Sequence, residues 1–110
     1  MNLNYVILIG NVGKPPVLRK TRKNVPVTNF SIATTERRNN GSTSITQWHN
    51  VVAWAKNAEY STKLKTGDLV LIVGNVINHS RESEGFKFQT SEIKAIRILI
   101  LKPKQPPTEE

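Results

Sequence analysis

Five runs rich in β-branched and aliphatic residues, each cut off by glycine, proline or a polar stretch, limit what this chain can fold into. Tyr5 to Ile9 ends at Gly10, and Gly13 with the Pro15-Pro16 pair then bends the chain, with a weak continuation over Val17 to Lys20. Val27 to Thr35 alternates through Phe30 and Ile32, Gln47 to Trp54 (QWHNVVAW) follows, and Leu69 to Ile77 carries Gly74 as a bulge or bend. Phe86 to Leu101 is a fifth strand, bent midway. The polar segments Glu36 to Thr46, containing Asn40-Gly41, and Asn78 to Gly85 are predicted loops. Only Lys56 to Lys65, with Ala58, Tyr60 and Leu64 ahead of Gly67, has a helical pattern. Three strands, a short helix and two more strands predict an all-β fold, a five-stranded barrel with one helix between strands 3 and 4, the OB-fold arrangement. The domain is expected over residues 1–101, and the Pro-rich polar residues 102–110 are expected to be a disordered tail.

Charge narrows the partner. Sixteen Lys and Arg against eight Asp and Glu leave a formal net charge of +8. Such an excess favours a polyanion, because binding to phosphates releases counterions. Nucleic acid fits better than a membrane surface, since no long basic amphipathic helix is present. With no cysteine, a disulfide scaffold, a thiolate zinc site and a cysteine nucleophile are excluded. His49 and His79 are isolated, Gly10 to Gly13 lacks the Lys-Ser/Thr end of a P-loop, and the acidic residues are scattered. No enzyme, metal or cofactor is therefore expected. The first residues lack the basic start of a signal peptide, so the expected compartment is the cytoplasm.

Trp48 and Trp54 are six residues apart on one predicted strand and so face the same way, with Asn50 and Val52, while Val51 and Ala53 face a plausible core. Two indoles on the outer face make a platform on which bases of any sequence can stack. The alternative for either indole is packing in the core. Basic residues gather at the strand ends and loops around this platform. Arg19 and Arg22 (with Lys20 and Lys23), Arg37, Arg38, Lys56, Arg81 and Lys87 are the candidate phosphate contacts. Leu69, Leu71 and Val73 alternate with Val70 and Ile72, so both faces of the fourth strand are apolar and self-association is expected.

The pieces VILIGNVG, VTNFSIATTE, QWHNVVAWAKNAE, KTGDLVLIVGNV and FKFQTSEI, in this order between Asn4 and Leu101, resemble the bacterial single-stranded-DNA-binding protein family. The resemblance implies a homotetrameric OB-fold protein that coats single-stranded DNA during replication, recombination and repair. It places Trp48 and Trp54 where the family stacks bases, and Phe88 where the family often has Tyr. It also places His49 near a subunit interface, with Leu69, Leu71 and Val73 in the region where dimers pack into tetramers. Arg38 and Arg81 stand where the family commonly has Trp, which implies an exchange of stacking for phosphate contacts. The acidic, hydrophobic-ended tip through which family members recruit replication and repair enzymes is not among these 110 residues. A second resemblance, to primosomal replication protein N, implies instead a dimer that works mainly through protein partners. A purely protein-binding OB module and an RNA binder are further alternatives.

Overall fold

The computed structural model describes residues 1–104. Six strands and one helix follow in the order β1 (Val6–Val12), β2 (Val17–Lys20), β3 (Pro26–Arg38), β4 (Thr43–Trp54), α1 (Lys56–Ser61), β5 (Leu69–Ser83) and β6 (Phe86–Lys102). The sheet runs β1-β5-β6-β4-β3-β2, and β1 also pairs with β3. That extra pairing, Asn11 with Ala33 and Val12 with Ile32, joins the ends and closes a five-stranded barrel. β2 lies outside the ring as an added strand on β3. The predicted OB-fold barrel, with its helix between the third and fourth barrel strands, is therefore present.

Alternation builds the core. Phe30 and Ile32 from β3, Val51 and Ala53 from β4, Val70 and Ile72 from β5, and Ile93, Ala95 and Ile98 from β6 fill the barrel, with Ala58 and Leu64 beneath the helix. Closing the barrel requires strands to approach closely at two points. A side chain at Gly10 would overlap the carbonyl of Ala33, where β1 passes from β5 to β3, and one at Gly74 would overlap the carbonyl of Lys94. Gly74 also sits at a register shift between β5 and β6, so the expected bulge and the bend in the last strand coincide.

Several boundaries differ from the sequence reading. The first strand does not end at Gly10 but continues through it to Val12, because the close approach to Ala33 there needs a residue without a side chain. The loop predicted over Glu36 to Thr46 shrinks to a turn at Asn39 to Ser42, because Glu36, Arg37 and Arg38 pair with Ile45, Ser44 and Thr43. The loop predicted over Asn78 to Gly85 shrinks to Glu84-Gly85, both at positive φ, and the ladder continues out to Ser83 opposite Phe86. Both segments are polar because their strands project as hairpin arms that bury little on either face; polarity there marks exposure, not loop. The helix ends at Ser61 instead of Lys65. Thr62 donates its hydroxyl to the Glu59 carbonyl at 2.7 Å, and Lys63 and Leu64 bond three residues back, so the chain tightens into turns. Of the expected tail, Lys102 belongs to β6, and residues 105–110 lie outside the described residues.

A single carboxylate ties off the end of the barrel. Asp68 is 3% exposed and accepts from the backbone N–H of Lys65 and of Lys104, each at 2.9 Å. The Lys104 bond first, then the Lys65 bond, holds its carboxyl below the ordinary carboxylate range. The folded pKa is thus below the unfolded one. This contribution is complete at neutral pH and is lost as the pH falls through the unfolded value toward the folded one. Asp68→Asn is expected to lower stability by about 1–2 kcal/mol at neutral pH, with the difference shrinking in acid. Urea unfolding of both proteins at neutral pH and near pH 3 measures this, and an equal deficit at both would exclude the ionised latch.

Candidate nucleic-acid interface

β4 presents its aromatic residues as the alternation requires. Trp48 is 62% and Trp54 41% exposed, while Val51 and Ala53 between them are buried. The rings lie on the outer face of β4, opposite Ala33 and Val27 of β3. The Trp48 ring packs on Gly13, where any side chain would overlap it. Gly13 is held by its N–H to the Ser31 carbonyl at 2.9 Å. A rigid strand below and a bare backbone beside it fix the indole plane in the open.

The basic residues fall into two groups. Arg19 stands on β2 opposite Val27, which stands opposite Trp54, so Arg19 and Trp54 share one face two strands apart. Its guanidinium donates to Asn29 Oδ1 at 2.7 Å and is thereby aimed along that face. Arg22 lies in the β2–β3 turn and Lys56 opens α1, close to Trp54 in the chain. The remaining four sit on the hairpin arms. By alternation Arg37 continues the Trp48 face of the β3–β4 arm, whereas Arg38 points to the opposite face and pairs with Glu36 at 3.6 Å. On the β5–β6 arm Arg81 stands opposite Phe88, and Lys87 opposite Glu82.

Phe88 is 52% exposed, and Phe86, two residues earlier and on the same face of β6, is 67% exposed. The sequence reading passes over Phe86, which the period of two from Phe88 places on the same face. Lys14 is a further cation beside the platform, following Gly13 in the chain, and its N–H is bonded to Ser31 Oγ at 2.9 Å.

The four residues expected at a subunit interface separate. Leu69, Leu71 and Val73 are half-buried on the outer face of β5. They are flanked there by exposed Ile7 and Ile9 of β1 and Leu99 of β6. His49 is on β4, with its Nε2 and Thr34 Oγ1 hydrogen-bonded at 2.8 Å, and shares neither strand nor face with them. Among the described residues no helix is long and apolar enough to cross a membrane.

The sequence and the strand order have known counterparts. Residues 3–101 match the single-strand binding protein family. The chain is 36% identical over 98 residues to the single-stranded DNA-binding protein of Thermus aquaticus, covering 87% of this chain and 37% of the relative. It is 40% identical over 89 residues to that of Neisseria meningitidis serogroup A, covering 77% and 50%. It is 38% identical over 107 residues to that of Caldanaerobacter subterraneus subsp. tengcongensis, covering 93% and 70%. The chain thus spans half or less of the length of the first two of these relatives. Its fold matches a chain of the Plasmodium falciparum SSB complex with ssDNA at a TM-score of 0.81 and 27% identity, over 93% of this chain and 97% of that one. With nearly the whole barrel matched in sequence and its closure matched in structure, this chain belongs to the single-strand binding protein family.

Proposed function

We propose that the protein binds single-stranded DNA with little sequence preference, shielding it during replication, recombination and repair, and that it catalyses no reaction of its own. The observation that carries this reading is the pair of exposed indoles on one face of β4. Each stacked base contributes roughly 1–3 kcal/mol, and every base offers a π-face, so the gain tolerates any sequence. Arg19, Arg22, Arg37, Arg38, Lys56, Arg81 and Lys87 track phosphates around this platform, and Phe88 adds a stacking surface on the β5–β6 arm. The protein works as a homotetramer in the cytoplasm, on the nucleoid.

Trp48 and Trp54 are the two tryptophans of the chain, so intrinsic fluorescence reports on the platform directly. Titration with a thymidine homopolymer is expected to quench it deeply and saturably. If all seven cations engage phosphates, log affinity falls against log salt with a slope of about −5. With Arg38 and Arg81 where Trp is common in the family, this slope is expected to be steeper than that of a Trp-rich relative. Absence of quenching at low salt would overturn the single-strand reading and favour a protein-binding module.

A further inference from the structure

We infer that the groove between the outer face of β3–β4 and the β5–β6 arm receives the edge of one base and favours cytosine over thymine through the carboxylate of Glu92, an inference that rests on the single-strand reading above. Lys14, Asn29, Ser31, Asn50, His79 and Glu92 contribute to its lining. Its volume of about 210 Å³ is below the several hundred Å³ of pockets for whole drug-sized molecules, and suits a single planar ring.

The groove lies on the path between the indoles. Asn50 is on the same face of β4 as Trp48 and Trp54 and falls between them, while Lys14 follows the glycine on which the Trp48 ring rests. Six residues of extended strand separate the two indoles by about 20 Å, more than one base step. A strand stacked on both therefore passes bases over the groove that have no β4 aromatic beneath them. Their edges meet the side chains that line it.

Among those lining residues Glu92 is the one carboxylate. A negative charge on the path of a polyanion opposes binding, so its presence there calls for a compensating contact. Its orientation is fixed: Oε1 and His79 Nε2 are 2.6 Å apart, diagonal neighbours on the arm, and the Glu92 side chain is 24% exposed. An ionised carboxylate can only accept hydrogen bonds, and Oε2 remains for a ligand. Cytosine offers its N4 amino group as donor, whereas thymine offers the O4 acceptor at the same place, setting lone pairs against lone pairs. The Asn50 amide both donates and accepts, so it does not discriminate. Asn29 Oδ1 and Ser31 Oγ already accept from Arg19 and from the Lys14 N–H, which leaves them, with the Lys14 ammonium, chiefly as donors for the O2 acceptor that both pyrimidines share. The rest of the track stays sequence-tolerant, with the bias confined to one position per protomer.

The test compares short deoxycytidine and deoxythymidine oligomers, both weakly stacked pyrimidines, on the wild type and on Glu92→Gln at one neutral pH and one salt. Glutamine keeps the shape, removes the charge and supplies an amide that can donate to thymine O4. The preference for deoxycytidine over deoxythymidine, taken as the ratio of their affinities, is expected to fall about fivefold or more in the variant. If the His79–Glu92 pair only staples the arm, the two affinities move together. An unchanged ratio therefore overturns the inference while leaving single-strand binding intact. A wild type that binds neither oligomer overturns both readings.

Discussion

Trp48→Ala is expected to weaken binding to a thymidine oligomer by about 5- to 150-fold, the free-energy equivalent of one lost base stack. The reason lies in how the ring is held. Trp48 is 62% exposed, so the protomer gains little from its burial, yet the ring rests against Gly13 and above the paired β3 and β4 strands. Its orientation is set before a base arrives, and little side-chain freedom is lost on binding. Trp54 differs: it is 41% exposed and stands directly across from Val27, which is 1% exposed. Trp54→Ala should therefore weaken binding and also lower stability by opening Val27 to water, whereas Trp54→Phe should preserve most of both. Anisotropy of a labelled oligomer measures affinity without relying on the altered fluorophores, and thermal melts report the stability arm. If Trp48→Ala binds within twofold of wild type at matched salt, the β4 platform is not where bases stack.

The barrel was legible in the sequence because its core obeys alternation. Phe30 and Ile32, Val51 and Ala53, and Val70 and Ile72 all face inward as their spacing requires, and the two tryptophans follow from the same count. What was not legible lies where alternation has nothing to act on. The arms from Thr35 to Thr43 and from Asn78 to Ser91 are exposed or nearly so on both faces, so their strands read as loops. Their pairing is fixed by backbone hydrogen bonds and turn geometry rather than by hydrophobic pattern. The groove was hidden for a related reason. His79 and Glu92 are far apart in the chain and meet only because the β5–β6 ladder places Ile77 opposite Glu92 and His79 opposite Thr90. His49 illustrates the converse: its place near an interface is implied by resemblance alone, and what its own strand fixes is a hydrogen bond to Thr34 on β3.

Ile9→Glu is expected to break a tetramer into smaller species at micromolar concentration while leaving the protomer folded. The outer face of the β1-β5-β6 sheet carries Ile9, Leu71 and Leu99 in one row across three adjacent strands, with Ile7 and Val73 in the next. Ile7 is 57%, Ile9 52% and Leu99 44% exposed. Contiguous apolar surface of this kind is uncommon on a monomer and marks a binding face. Ile9 is at its edge strand, exposed enough that a carboxylate there stays hydrated in the protomer. Buried against a second copy, the same carboxylate loses its water without gaining a partner, at a cost of several kcal/mol per interface. Sedimentation equilibrium separates the outcomes, with circular dichroism to confirm the barrel. A wild-type monomer would remove self-association from the proposal. A wild-type dimer would favour the primosomal reading over a tetrameric DNA coat. A tetramer that survives Ile9→Glu would mean that this face is not the one buried. Dissociation should also weaken binding to long single strands more than to short ones, because a strand that spans several barrels gains from their linkage. A strand short enough to occupy one platform does not.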